Sequence, residues 1–237
     1  MNDGLVLVGV SFFSSMLTAV IGMGGGILLI SAMPGFVPPG AIVPLHGVVQ
    51  LASNASRTLF GLRHIQWRLF WPFVGGAVVG AALGSQIVAR LPPDYLPLLL
   101  GLFILLATWG PTLSLEKLPG KYVSLGAAQT LLSMVFGVAG PLSAPFLSRE
   151  GLSRDRLVVT HGTLMTAVHG LKVAAFGLLG FSFLPHAKLL IGMVLAVTLG
   201  SYVGTRLRHR LSEAFFKRLF KWVVTALALR MILRVFL

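Results

Sequence analysis

Eight apolar runs, each about as long as a membrane is thick, limit what this chain can fold into. They lie at 4–21, 41–62, 69–90, 95–112, 121–137, 156–179, 187–206 and 214–237. A helix that crosses the hydrocarbon core needs ~20 residues. Of the 237 residues, 56% are hydrophobic and 11% charged, against roughly 25% charged in a soluble domain. The runs predict an all-α polytopic membrane protein with about eight transmembrane helices, because lipid forces each spanning backbone to satisfy its own hydrogen bonds. The net charge of +13 would suggest nucleic acid in a soluble protein. Here Lys and Arg fall mostly in short loops, so they read as topology signals and contacts with membrane lipids, with no nucleic-acid partner. The chain has no cysteine, which excludes disulfides and thiolate metal sites. Its start, "MNDG", lacks a basic flank, so the first run reads as a retained helix.

Two glycine-rich breaks interrupt this pattern. "GMGGG", Gly22 to Gly26, separates the first run from "ILLISAM". It lacks the Lys of a P-loop and the strand of a dinucleotide fold. At an offset of 115 its echo is "GVAGP", Gly137 to Pro141. The same offset sets His46-Gly47 on His161-Gly162 and Arg57 on Lys172. With one residue inserted, "GSQIVARL" from Gly84 matches "GSYVGTRL" from Gly200. The sequence therefore divides into two homologous four-segment repeats, 1–113 and 121–237, joined by a linker at 114–120. Glycine and proline together predict broken or re-entrant segments near the midplane, where secondary transporters place their sites. The spacings of Gly76, Gly80 and Gly84, and of Gly200 and Gly204, predict close helix packing.

Four full spans per half give parallel repeats; if each glycine segment adds a crossing, they are inverted. Counting eight spans, one set of loops holds Arg90, Arg149, Arg154, Arg156, Arg206, Arg208, Arg210, Lys217, Arg218 and Lys221. The opposite set holds Arg63, Arg68, Lys117, Lys121 and Lys188. The positive-inside rule then places the N-terminus outside.

Helical periodicity locates the polar residues. His46, Gln50, Ser53, Asn54 and Arg57 form one stripe along 41–62. His161, His169 and Lys172 form the matching stripe in the second half. Arg57 and Lys172 lie about one and a half to two turns inside their helix ends, ~9 Å, and each alone is open to snorkelling. The six acids, Asp3, Asp94, Glu116, Glu150, Asp155 and Glu213, all fall at span ends or in loops. No carboxylate is deep enough to neutralise either cation, and a buried cation needs a partner that an anionic substrate can supply. The histidines serve equally as hydrogen-bonding core residues, anion donors or proton carriers. Without neighbouring carboxylates or thiolates they do not suggest a metal site.

The stretches "AVIGMGGGILLISAM", "SMVFGVAGPLSAPFL" and "GGAVVGAALGSQIVARLPPDYL" resemble the TauE/SafE family of sulfite exporters and toluenesulfonate-uptake permeases. The resemblance covers nearly the whole chain. It implies transport of a small sulfur-containing anion such as sulfite, sulfoacetate or another organosulfonate across the inner (cytoplasmic) membrane. One departure is Pro141, which stands where the first repeat has a third consecutive glycine.

The expected substrate-binding residues are Gly24, Gly25, Gly26, Ala139 and Gly140 through their backbone N–H groups, and Arg57 and Lys172 through charge. His46, Gln50, Asn54, His161 and His169 complete the set through hydrogen bonds. No cofactor is expected; proton coupling, sodium coupling and uniport all stay open, as does a homo-oligomer. The rival classes are an anion channel, an assembly factor and a membrane enzyme. No H-E-x-x-H or G-x-S-x-G motif supports the last.

Overall fold

Each of the eight apolar runs folds as a helix in the computed structural model, which describes residues 3–22, 24–110, 120–138, 140–208 and 213–236. The helices are α1 (Asp3–Ile21), α3 (Pro39–Leu59), α4 (Trp67–Val88), α5 (Leu96–Trp109), α6 (Lys121–Phe136), α8 (Arg154–Leu178), α9 (Ala187–Leu207) and α10 (Glu213–Phe236). Two short helices follow the glycine breaks: α2 (Gly25–Ala32) and α7 (Gly140–Ser148). Three described segments are long and apolar enough to cross a membrane by length and composition alone: Gly4–Ile21, Trp67–Val88 and Leu184–Leu207. Helices α3 and α8 instead carry the polar stripes. Of the expected linker only Gly120 is described, and Ala139 lies outside the described residues.

The breaks form because glycine alone tolerates the backbone they require. Gly22, Gly24 and Gly137 have φ of 99°, 100° and 68°, a region that costs a side-chain-bearing residue energy. Gly22 and Gly137 thereby stop α1 and α6, and Gly24 starts α2.

Contacts between loops define two faces. Lys121, at the start of α6, and Arg68, at the start of α4, both pair with Glu150, just after α7. Arg154 at the start of α8 donates to the Val20 carbonyl at the end of α1 (2.7 Å), and Arg208 just after α9 donates to the Ala19 carbonyl (2.8 Å). These ends share one face, the Glu150 face. The loop from Pro34 to Pro38 marks the opposite face, where it borders a cavity of about 580 Å³ with Asp94, Pro97 and Met231.

Since α2 and α7 each turn the chain back, the loops regroup relative to an eight-span count. Arg63, Arg68, Lys121, Arg149, Arg154, Arg156 and Arg208 now share the Glu150 face. The assignment of Arg63, Arg68 and Lys121 to the side opposite Arg149 is therefore corrected: each short helix inserts one reversal that the span count omitted.

Packing exchanges elements between the halves. Helix α1 runs along α9, α4 along α6, and α3 crosses α8. The glycines predicted to pack closely do so. A Cβ on Gly76 or Gly80 would collide with the Val123 or Ala127 carbonyl of α6, and one on Gly200 or Gly204 with the Phe12 or Met16 carbonyl of α1. Ser15 ties α1, α3 and α9 together by 2.7 Å hydrogen bonds with Ser53 Oγ, Ser201 Oγ and the Val197 carbonyl.

Candidate functional site

The seam where α3 crosses α8 collects the polar stripes. The two helices run antiparallel, with Gly47 against Lys172 and Gly162 against Arg57. A Cβ on Gly47 would lie 3.0 Å from Lys172 Cε, and one on Gly162 would lie 3.7 Å from Arg57 Cβ. Gly47 thus has a packing cause, since a Cβ there would press on the Lys172 side chain, whereas a Cβ on Gly162 would make only ordinary contacts.

Both cations are buried, Arg57 at 2% exposure and Lys172 at 0%, so neither snorkels to a headgroup layer. Arg57 donates through Nη1 to Ser53 Oγ (3.0 Å) and through Nη2 to Asn54 Oδ1 (2.5 Å). Lys172 Nζ donates to Ser133 Oγ (3.2 Å) and to the Gly137 carbonyl (3.0 Å). Lys172 therefore caps the broken end of α6, where a helix presents unpaired carbonyls and the negative end of its dipole. The ion pairs among the described residues all lie elsewhere, at Glu150 and Asp155.

The histidines connect this seam to the breaks. His46 Nε2 hydrogen-bonds the Gly26 carbonyl at 2.9 Å, while its ring meets that of His169 edge-on, centroids 5.8 Å apart. Gln50 lies against Gly26, 3.3 Å from where a Cβ would stand. His169 is buried on α8 three residues before Lys172, so it stands on the same stripe as that cation. The buried His169 Nδ1 has no hydrogen-bond partner among the described residues. Gly137 packs on Ile30 of α2 and Val43 of α3. The start of the second break thus meets the helix that begins at the first.

The expected residues do not converge on a single point. Residues 47 and 57 are ten apart on α3, which is ~15 Å along the axis. Lys172, His46, His169 and Gly26 group near the Gly47 level, whereas Arg57, Asn54 and His161 group near the Gly162 level. At the start of α2, Ile27 N makes its first backbone bond to Gly24 O, and Gly25 is pressed against the Ser14 carbonyl of α1. Gly140 opens α7.

Residues on α1 and α6 that support the cations lie outside the expected set. Ser133 holds Lys172, and Gln129 Nε2 donates to Ser143 Oγ (3.1 Å) and contacts Met165 Sδ (3.0 Å). The signal was present: Gln129, Thr130 and Ser133 stand 115 residues after Ser14, Ser15 and Thr18.

A helical protein this apolar, with buried cations along an internal seam, belongs to the class of multi-pass membrane transport proteins. The chain is a member of the sulfite exporter TauE/SafE family, whose model matches residues 7–231. Membership makes it a transporter of the sulfite-exporter type and not an enzyme, as its sequence resemblance implied. No curated protein and no solved structure matches it.

Proposed function

We propose that the protein carries a small sulfur oxyanion or organosulfonate, such as sulfite or sulfoacetate, across the cytoplasmic membrane by alternating access. The observation that carries this reading is the pair of buried cations, Arg57 and Lys172, on a seam without a described carboxylate partner. Buried charge that the protein leaves unneutralised favours an anionic guest. Arg offers a planar fork that fits two oxygens, and Lys172 retains a third ammonium proton beyond its two bonds to α6. Because the cations lie at different levels, a small anion would meet them in succession, with His46 and His169 as donors beside Lys172. The N–H groups of Gly24, Gly25 and Gly26, and of Ala139 and Gly140, would add dipoles at the two breaks.

The exchanged packing, α1 on α9 and α6 on α4, supports two inverted five-helix repeats related by a pseudo-two-fold axis through the α3–α8 crossing. Rocking one half against the other would open the seam to each face in turn. The basic residues of the Glu150 face would make that face cytoplasmic and leave the N-terminus outside.

Proteoliposome flux over a panel of sulfite, sulfoacetate, sulfate and chloride tests the reading. A carrier gives flux that saturates with sulfite or sulfonate and is stimulated by the same anion in trans. Flux that rises linearly with concentration points to a channel. The absence of any anion flux contradicts transport of this class.

A further inference from the structure

The polar stripe on α6 runs beyond the residue that holds Lys172. Ser133 accepts from Lys172, and one turn nearer the Glu150 face stand Gln129 and Thr130. Both are fully buried, yet Gln129 Oε1 and Thr130 Oγ1 have no hydrogen-bond partner among the described residues. Further along the same stripe Tyr122 stands beside Lys121, whose ammonium lies 5.2 Å from the Tyr122 ring centroid, and Lys121 and Arg68 converge on Glu150 at 2.7 and 3.1 Å.

The corresponding stripe on α1 is different. Ser14 donates to the Ser11 carbonyl and Thr18 to the Ser14 carbonyl, while Ser15 has three partners. Every hydroxyl there is satisfied inside the protein. Buried polar groups are ordinarily paired, so two orphans in line with a buried cation call for a ligand or water that reaches them in another state of the protein.

We infer that Gln129 and Thr130 line the route by which the anion and its hydration water pass between Lys172 and the Glu150 face. The inference rests on the proposed carrier function and adds the passage to it. Thr130 Oγ1 donates to a passing oxyanion, and Gln129 Oε1 accepts from the water travelling with it. Two cations against one carboxylate leave the mouth at Glu150 positive, which favours anion entry.

The cysteine-free chain permits a direct test. Thr130→Cys and Gln129→Cys are made in the full-length protein and reconstituted in proteoliposomes. A membrane-impermeant methanethiosulfonate is then added to one side at a time. Arg149→Cys reports the Glu150 face and Leu184→Cys the other. Sulfoacetate serves as the anion, because sulfite would cleave the mixed disulfide formed on labelling. Both buried cysteines are expected to react from the side that labels Arg149→Cys, and at ~10 times Kd of sulfoacetate the rate should fall about tenfold, by mass action. Thr130→Val, which keeps the shape, should lower kcat about tenfold with KM little changed, and Thr130→Ser should restore it.

Labelling only from the Leu184 side, labelling that sulfoacetate does not slow, or no labelling in protein that still transports overturns the route. If the cysteine variants do not fold, an unchanged kcat in Thr130→Val overturns it instead. Loss of sulfoacetate binding in Lys172→Ala together with any of these results leaves the seam standing without this passage. Unchanged binding in both Arg57→Ala and Lys172→Ala removes the carrier site itself.

Discussion

Arg57 and Lys172 show how far single residues could be read. Their depth and their lack of a carboxylate partner were legible from helix ends and the positions of six acids. What Lys172 bonds to was not, because Ser133 and Gly137 lie 35 and more residues away in the chain. Arg57 bonds two side chains of its own helix at once, and a lysine cannot span that fork. Arg57→Lys should therefore weaken sulfoacetate binding about tenfold or more, the equivalent of ~1.4 kcal/mol, as measured by titration calorimetry. Equal affinity would mean that charge alone suffices there. Outside the membrane, the hydrogen bond from Lys121 holds the Glu150 carboxyl below its ordinary value of 4.5. A depressed carboxyl stabilises the fold fully above its unfolded pKa, and that contribution is lost as pH falls through the folded value. Wild type should thus lose slightly more melting temperature than Glu150→Gln on acidification below pH 4.5. With Arg68 67% and Lys121 42% exposed, the difference should stay under about 1 kcal/mol. Parallel acid profiles would exclude the pair as a contributor.

At the scale of elements, the eight long helices were legible because a run of ~20 apolar residues has few alternatives in lipid. The short helices α2 and α7 were visible only as glycine and proline anomalies. Eight or nine residues cannot span the core, so hydropathy gives no sign that they return the chain. Their omission misplaced Arg63, Arg68 and Lys121. Glycine spacing on α4 and α9 was more informative, since only the absence of a Cβ lets the α6 and α1 backbones come so near. Gly80→Leu, whose side chain would enter the Ala127 carbonyl, should destabilise the protein by at least ~1–3 kcal/mol. Gly75→Ala, with nothing within 4 Å of its new Cβ, should leave the melting temperature level or raise it. Thermal melts in detergent compare the two, and similar losses in both would contradict the close α4–α6 contact.

For the whole molecule, the proposed repeat rests on an offset of 115 in the sequence, and its direction depends on whether α2 and α7 count as reversals. The proposed inverted arrangement puts residues 149 and 184 on opposite faces, with residue 149 cytoplasmic. Impermeant thiol labelling of Arg149→Cys and Leu184→Cys in intact cells should modify only the second; modification of the first alone would invert the orientation. At this scale the α3–α8 seam is proposed to bind the transported anion through its two buried cations. Equilibrium binding of sulfite and sulfoacetate to purified wild type, Arg57→Ala and Lys172→Ala measures it most directly. Saturable binding to wild type is expected, with a loss of about tenfold to a hundredfold in affinity in each folded variant, the range for hydrogen bonds to charged groups. Wild-type affinity in both variants would contradict it.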